Sequence, residues 1–247
     1  MNILLIGSGK MGNIVEQLAI EKGHTIVAKY HTLNPFNAKT FLVGDVAIDF
    51  SNPSLVKGHT QLCFEKNIPL VEGTTGWNEQ FESVSAECLK MGGTLLTSSN
   101  FSLGVNLFFE MTKKLSVLID AYDYNCSISE IHHTEKIDKP SGTAITLAES
   151  VISHSNRYAN WALYPIDSSP EICQVNVDNT LLIHTERLHG VFGKHSLSYE
   201  NSIDIIRFEH EAKSRIGFAK GAIMAAEWLI GKRGVFDMSD FLNFAPR

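Results

Sequence analysis

The densest group of reactive side chains lies between Glu130 and Ala144, in the sequence EIHHTEKIDKPSGTA. His132 and His133 carry imidazoles, which change protonation near neutral pH and so can accept or donate a proton. Lys136 supplies a cation that can hold a carboxylate, or give up a proton if its pKa is lowered. The segment therefore combines groups for acid–base chemistry with a charge that suits an anionic substrate.

The end of this segment suits carboxylate binding. Ser141, Gly142 and Thr143 follow Pro140 at the predicted start of a helix. Backbone N–H groups in the first turn of a helix lack intrahelical partners, and with the Thr143 hydroxyl they can receive an anion. The pattern predicts an anion pocket beside acid–base groups, although a plain helix cap would use the same residues.

A metal site is a competing interpretation, because Glu130, His132 and His133 are all possible ligands. Adjacent strand residues point to opposite faces, and the HExxH spacing of many zinc sites is absent here. We therefore expect no metal. The two histidines could also be ordinary residues at the end of a strand.

A second functional pattern lies near the N-terminus, where Gly7-Ser8-Gly9-Lys10-Met11-Gly12 fits GxGxxG. It follows a predicted strand and precedes a predicted helix, which is the context that gives this motif its meaning. Glycine allows a pyrophosphate to approach the backbone, and the helix N-terminus attracts the anion. We expect a bound dinucleotide here rather than only a tight turn.

The residues near the expected ribose leave the cofactor open. The acidic residue that would bind a 2′-hydroxyl is absent, and the second strand ends with Ala28-Lys29-Tyr30-His31. Lys10, Lys29 and His31 either approach a 2′-phosphate or are solvated surface charges. Tyr30 and His31 are candidate cofactor-binding residues, and the sequence allows NADPH, slightly favoured, or NADH.

Three later turns follow predicted strands, and the carboxyl ends of parallel strands bind ligands in open α/β sheets. They are Asp49-Phe50-Ser51, Gly73-Thr74-Thr75-Gly76 and Ser98-Ser99-Asn100-Phe101. Small and hydroxylated residues suit contacts to ribose and nicotinamide, although such turns need no function. Residues 73–75 and 98–101 complete the candidate cofactor-binding set.

Alternation of β-branched runs and amphipathic helices predicts βαβ units in the first hundred residues. The predicted strands are 3–6, 26–30, 46–50, 69–72 and 94–97. Later residues predict helices at 103–119 and 143–152, an alternating run at 124–131, and hairpin-connected strands from 181 to 209. The fold class is α/β: a Rossmann-like doubly wound parallel sheet, plus an α+β domain with a mixed or antiparallel sheet.

Domain boundaries follow from this change of pattern. We place a dinucleotide-binding domain at residues 1–102, completed by residues 215–247, and a second domain at residues 103–214. The last segment returns to an apolar helix and a short tail. It could pack back on the N-terminal domain.

Composition excludes several classes of function. The formal net charge of −6 has the wrong sign for a nucleic-acid partner, and 44% hydrophobic residues are ordinary for a globular protein. The apolar stretch 218–230 is too short to span a membrane and contains Lys220 and Glu227. Scattered cysteines (Cys63, Cys88, Cys126 and Cys173) and the lack of a signal peptide predict reduced thiols and a cytoplasmic location.

The motif HHxxKxDxPSGTA from His132 to Ala144, together with the glycine turn and the strand-end turns, resembles the 4-hydroxy-tetrahydrodipicolinate reductase family. The resemblance extends over nearly the whole chain and includes Arg187, Gly190, Gly193 and His195. It implies NAD(P)H-dependent hydride transfer to a cyclic unsaturated dicarboxylate, with loss of water, in the diaminopimelate route to lysine. It also implies a homotetramer in which the second domain binds substrate and mediates assembly.

The resemblance further implies individual roles. His132 matches the acid–base histidine, His133 a substrate-binding residue, Lys136 the proton donor, and Gly142 with Thr143 the carboxylate loop. The chain departs from the family in its glycine turn, which lacks a common extra residue and arginine. It also has Tyr30 where an acidic residue is common, so cofactor preference does not transfer.

Two alternatives remain. An aldehyde dehydrogenase-like enzyme would need a cysteine nucleophile in a strand-end turn, and none of the cysteines is placed there. A non-catalytic module that senses a nicotinamide dinucleotide could have the same fold. The joint presence of His132, Lys136, Gly142 and Thr143 argues against that second alternative.

Overall fold

A computed structural model describes residues 1–164 and 179–243 of the chain. The chain divides into two compact units, Met1–Asn106 with Arg215–Arg247, and Leu107–Ser214. The first unit is therefore built from both ends of the chain, and the second from its middle.

The first unit contains a six-stranded parallel sheet. Its strands are β1 (Asn2–Ile6), β2 (Thr25–Tyr30), β3 (Val46–Asp49), β4 (Leu70–Glu72), β5 (Thr94–Thr97) and, near the end of the chain, β11 (Gly234–Phe236). The spatial order is β11-β5-β4-β3-β1-β2. The chain reverses its direction of travel across the sheet between β1 and β3, which is where open α/β sheets bind ligands.

Helices cover this sheet on both faces, as continuous apolar strands require. They are α1 (Lys10–Glu21), α2 (Val56–Glu65), α3 (Phe81–Met91), α6 (Ile216–Leu229) and α7 (Met238–Leu242). One buried cluster joins Ile3 and Leu5 to α1 and α6, and the other joins Leu4 and Ile6 to α2 and α3. Gly221 lets α6 lie directly against the backbone of Phe101, because a Cβ at this position would be 1.8 Å from the Phe101 carbonyl oxygen.

The second unit contains a five-stranded mixed sheet in the order β10-β9-β6-β8-β7. Its elements are β6 (Asn125–His132), α5 (Gly142–Ile152), β7 (Asn160–Leu163), β8 (Thr180–Arg187), β9 (Lys194–Glu200) and β10 (Ile205–Glu211), with most of α4 (Leu103–Ile119). The central strand β6 is antiparallel to β9 and parallel to β8.

Alternation in β6 places its core residues and its reactive residues on one face. Cys126 and Ile128 are buried in the core with residues of α4 and α5. Glu130 and His132 continue the same face to the end of the strand and are also buried. The hydrophobic core therefore sets the direction in which the reactive side chains point.

The α/β fold class, with a doubly wound parallel sheet and a second mixed sheet, is confirmed. Two short edge strands, β7 and β11, were not predicted, because their residues are not buried and do not form the apolar run of a central strand. The prediction that the strands from 181 to 209 are all hairpin-connected is wrong for one pair. β9 and β10 are antiparallel neighbours, but β8 and β9 lie on opposite sides of β6.

The described cysteines are free thiols, as the sequence predicts. Cys63, Cys88 and Cys126 are free and buried, whereas Cys173 lies outside the described residues. Burial raises the pKa of the Cys88 thiol to about 11. Within residues 1–164 and 179–243, no helix has the length and apolar character that crossing a membrane requires.

Candidate active site

Each of the three glycines of the GxGxxG turn is glycine for a different structural reason. Gly7 has φ +99°, and a Cβ there would lie 2.3 Å from the Phe50 carbonyl oxygen. A Cβ on Gly12 would lie 2.1 Å from the carbonyl oxygen of Gly7. A Cβ on Gly9 would meet no atom within 4 Å, so this position opens onto free space. The first and third glycines therefore shape the turn, and the second leaves room for a ligand.

The start of α1 fits the diphosphate of a dinucleotide. Gly9 is the N-cap residue and provides no side-chain cap, and the first turn holds no acidic residue. The N–H groups of a first helical turn lack intrahelical partners, and the helix dipole favours a negative charge there. Ser8, Gly9 and Lys10 are exposed at this end. The residues present therefore suit an anionic cofactor.

Two further turns lie at the carboxyl ends of β4 and β5, on the same edge of the parallel sheet. Thr74 is buried, and its hydroxyl accepts a hydrogen bond from the Ser51 amide at 3.1 Å, so it ties two of these turns together. Asn100 is held by Ser98, whose hydroxyl accepts from the Asn100 amide at 3.1 Å. Thr75 and Ser99 are exposed.

Of the two cofactor-binding candidates at the end of β2, Tyr30 is buried and only His31 is exposed. Tyr30 is 1% exposed and packs in the core, where its hydroxyl accepts a hydrogen bond from the Leu42 amide at 3.0 Å. Its side chain therefore cannot reach a ribose, because it packs inward against Phe36. Lys29 pairs with Glu16, whereas His31 is exposed. Phe101 is also buried and offers a ligand only its backbone.

Behind this edge, two carboxyl groups are buried together. Asp49 and Glu72 are register partners on β3 and β4, and both are 0% exposed. The Asp49 carboxylate contacts the His59 imidazole of α2, with Oδ2 to Nδ1 at 2.7 Å. Burial, reinforced by the charge of Asp49, raises the pKa of Glu72 well above its usual range. The buried environment thus favours the protonated form of Glu72 over its carboxylate.

The second unit brings Glu130, His132 and His195 together around one buried point. Glu130 Oε2 lies 3.6 Å from His132 Nδ1 and 3.7 Å from His195 Nε2. The two imidazole rings meet edge to face, with centroids 5.0 Å apart. A Cβ on Gly193 would lie 3.2 Å from His132 Nε2, so glycine there leaves the imidazole its space.

These contacts separate the protonation states of the group. Burial lowers the pKa of His132 to about 4, with help from His195, Lys136 and Arg187 and against the charge of Glu130. Burial alone would raise the pKa of Glu130, but interactions with His195, Ser141 and His132 lower it to about 2. At neutral pH the site therefore presents a carboxylate beside a neutral His132.

Lys136 lies in the loop that follows β6. Its ammonium group contacts the Asp138 carboxylate, with Nζ to Oδ1 at 2.8 Å. Partial burial opposes ionisation of Asp138, yet the hydrogen bond from Lys136 lowers the pKa of that carboxyl group. His133 is half-buried, and its Nδ1 has no hydrogen-bond partner.

The start of α5 has the geometry expected for an anion pocket. Ser141 is the N-cap, and its hydroxyl accepts from the Ala144 amide at 3.2 Å. Gly142 is exposed, and a Cβ there would meet no atom within 4 Å. Thr143 follows in the first turn. Free space over Gly142 leaves the helix N-terminus accessible to a carboxylate.

Sequence reasoning considered a metal set of Glu130, His132 and His133, but the potential ligands that cluster are Glu130, His132 and His195. Strand alternation explains why His133 is excluded and why Glu130 and His132 share a face. The guanidinium of Arg187 lies on the same carboxylate, with Nη2 3.4 Å from Glu130 Oε1, and its charge opposes a second cation.

Arg187 and His195 were not among the predicted binding or catalytic residues, and Glu130 was considered only as a possible metal ligand. Glu130 carried a usable signal, because its spacing of two from His132 predicts a shared face on a strand. Arg187 and His195 arrive on β8 and β9 through pairing with β6. Such pairing between distant segments is not visible in local sequence patterns.

Family models and individual relatives both match nearly the whole chain. The families described as dihydrodipicolinate reductase N-terminus and C-terminus match residues 1–101 and 104–242. A 4-hydroxy-tetrahydrodipicolinate reductase of Christiangramia forsetii is 41% identical, over 98% of each chain. One of Alkaliphilus oremlandii is 33% identical, over 98% of this chain and 99% of its own.

A solved structure is similar in fold. Dihydrodipicolinate reductase from a Paenisporosarcina species, determined with bound dipicolinate, superimposes with a TM-score of 0.74. The alignment covers 99% of this chain and 100% of the other, at 21% identity.

Proposed function

The chain belongs to the dihydrodipicolinate reductase family, and from this premise we propose how its residues perform the reaction. The protein reduces 4-hydroxy-tetrahydrodipicolinate to tetrahydrodipicolinate with NAD(P)H, in the diaminopimelate pathway to lysine. The observation that carries the residue roles is the complete motif from His132 to Thr143. It runs from the end of a buried strand to the N-terminus of a helix.

The first unit binds the dinucleotide. The N-terminus of α1 holds its diphosphate, with Ser8, Gly9, Lys10 and Met11 around it, and the turns at 73–75 and 98–101 contact the ribose and nicotinamide. A groove of about 370 Å³ between Pro35–Ala38 and α2 accommodates the adenosine end. When bound, the reduced nicotinamide supplies the hydride. His31 is the exposed side chain of the Tyr30–His31 pair and is the one able to approach a 2′-phosphate.

The second unit binds the cyclic dicarboxylate. One carboxylate accepts hydrogen bonds from the first turn of α5, where Gly142 leaves space and Thr143 adds a hydroxyl. His133, half-buried with an unpartnered Nδ1, contacts the substrate from the other end of the loop. The Lys136 ammonium adds positive charge to the same site.

Proton delivery falls to Lys136. A hydride added to the conjugated ring leaves negative charge on the neighbouring carbon and nitrogen, and a nearby ammonium both stabilises that charge and donates a proton. The Asp138 carboxylate, 2.8 Å away, orients the ammonium until it turns to the substrate. His132, neutral at pH 7, accepts the proton lost from the ring carbon beside the hydroxyl and passes it to the departing hydroxyl, which leaves as water.

Assembly and location extend the proposal. We infer a homotetramer that forms through the second unit. Its support is a group of exposed apolar residues at the edge strand β10 and the turn before it: Ile203, Ile205 and Ile206. We also propose that the enzyme acts in the cytoplasm, because its curated relatives are bacterial biosynthetic enzymes.

The decisive experiment supplies the purified full chain with substrate made fresh from pyruvate and aspartate semialdehyde, and follows oxidation of NADH and NADPH. We expect oxidation that depends on substrate. A folded sample that binds dinucleotide but shows no such oxidation would favour the sensing module. The ratio of the two kcat/KM values would fix the cofactor preference.

A further inference from the structure

Arg187 is the last residue of β8 and lies beside the reactive end of β6. It is the register partner of His132, and the Leu188 amide donates to the His132 carbonyl oxygen at 2.8 Å. The Arg187 side chain is only 10% exposed. A buried guanidinium needs partners for its donors, and these partners identify what it holds.

Two of the partners are backbone carbonyls of the loop that carries Lys136. Arg187 Nε donates to the Lys136 carbonyl oxygen at 3.3 Å, and Nη2 donates to that of Asp138 at 2.6 Å. Because both acceptors are main-chain atoms, the guanidinium fixes the path of the loop itself. The position of the Lys136 side chain then follows from the backbone that bears it.

A third partner extends the same arrangement to the carboxylate pocket. Nη1 and Nη2 each lie 3.4 Å from Glu130 Oε1. The two Glu130 oxygens also accept from the Ser141 amide, at 3.2 Å and 3.1 Å. Arg187 therefore holds the middle of the loop directly, and its end through Glu130.

We propose that Arg187 is a positioning residue, which sets the Lys136 ammonium and the start of α5 at the correct separation for one substrate molecule. This inference rests on the proposed function. A planar guanidinium can satisfy two carbonyls and a carboxylate at once, whereas an ammonium is a point charge without that fork. Charge alone therefore does not replace Arg187.

The test compares Arg187→Lys with a matched control, Arg157→Lys, in the same unit. Arg157 also contacts a main-chain carbonyl, that of Tyr122 at 3.0 Å, but it lies far along β6 from the reactive end, next to Asn125. We expect kcat of Arg187→Lys to fall about 100-fold, because small misplacements of reacting groups cost that much. The Kd for dinucleotide should stay within twofold, and Arg157→Lys should match the wild type.

A second variant separates positioning from folding. Arg187→Ala is assayed with and without guanidinium ions, and ethylammonium serves as the control cation. We expect guanidinium to raise the kcat of Arg187→Ala at least tenfold and ethylammonium to leave it unchanged. A structural role alone would shift the melting temperature without producing this selective rescue.

The outcomes are distinct. A folded Arg187→Lys protein with kcat within twofold of the wild type, or no rescue of Arg187→Ala by guanidinium, would overturn the inference. A wild-type protein that itself fails to oxidise NAD(P)H with substrate would contradict the proposed function instead. The wild type is therefore measured in the same series.

Discussion

Asp49 and Glu72 are paired in register at the ends of β3 and β4, and neither carboxyl side chain is exposed to solvent. Asp49 Oδ1 and Glu72 Oε2 have no other hydrogen-bond partner, so a proton retained on Glu72 can be shared between them. The raised pKa of Glu72 favours one shared proton over two adjacent buried negative charges. This relationship makes stability depend on pH at the cofactor edge.

Replacing Glu72 by glutamine should stabilise the protein at neutral pH. The pKa of Glu72 is raised in the folded state, so its contribution is present below the unfolded value near 4.5 and is lost as pH rises through the folded value. Glu72→Gln removes that loss. In urea unfolding, we expect the variant to be more stable than the wild type at pH 8, with a gain that shrinks toward pH 4. A less stable variant at pH 8 would contradict this account.

Alanine substitutions at Gly7 and Gly9 should distinguish a glycine that shapes the turn from one that leaves room for the dinucleotide. Gly7→Ala places a Cβ 2.3 Å from the Phe50 carbonyl oxygen at φ +99°, so we expect a loss of at least about 2 kcal/mol. Gly9→Ala meets no atom and should melt like the wild type while binding dinucleotide about tenfold more weakly. Calorimetric melting and dinucleotide titration measure both. If Gly9→Ala binds the dinucleotide as tightly as the wild type, the diphosphate does not bind at this turn.

Loss of the Lys136 ammonium should affect turnover most. Lys136→Ala is expected to lower kcat by about 10²-fold or more, the usual contribution of a positioned acid. Lys114→Ala, which removes an exposed lysine of the same unit on α4, is the matched control and should retain full activity. Steady-state oxidation of the reduced cofactor gives both values. A tenfold loss or less would reassign the proton donor.

His132 should not produce the pH limb of an ordinary histidine. Burial lowers the pKa of His132 to about 4, so the imidazole is neutral from pH 5.5 to pH 8 and its protonation cannot limit activity there. We expect His132→Gln to reduce kcat/KM by a similar factor across that range. The profile of kcat/KM against pH for both proteins is the measurement. A limb near pH 6.5 that disappears in the variant would show that His132 titrates normally.

Gly142→Ala should weaken substrate binding without harming the fold. A Cβ at Gly142 meets nothing, and alanine has the higher helix propensity, so the melting temperature should stay the same or rise. The new methyl group occupies the space over the α5 N-terminus, and we expect KM for the dicarboxylate to rise about tenfold. The dinucleotide Kd serves as the internal control. A variant with unchanged KM would place the substrate carboxylate elsewhere.

Local patterns in the sequence are enough to predict much of this architecture. The apolar period predicts a helix over residues 103–119, and α4 has those bounds. The parallel strands β1 to β5 are predicted within a residue, because buried strands in a parallel sheet read as unbroken apolar runs. The edge strands β7 and β11 depend instead on pairing with a neighbour, which a short segment does not encode.

The candidate site divides in the same way. The glycine turn and the residues from His132 to Thr143 follow one another along the chain, so their chemistry is visible in order. Arg187 comes to Glu130 only through the pairing of β8 with β6. The inward orientation of Tyr30 follows from packing against Phe36, with ring centroids 4.9 Å apart, which strand alternation alone did not reveal.

The first unit is completed by segments that the ribosome makes after the whole second unit. Its sheet gains β11 from residues 234–236, and α6 seats Gly221 against the Phe101 carbonyl oxygen. During synthesis, residues 1–106 emerge before these partners exist, and the second unit, Leu107–Ser214, is made before them as well. The cofactor unit can therefore complete its sheet only after the whole second unit has been synthesised.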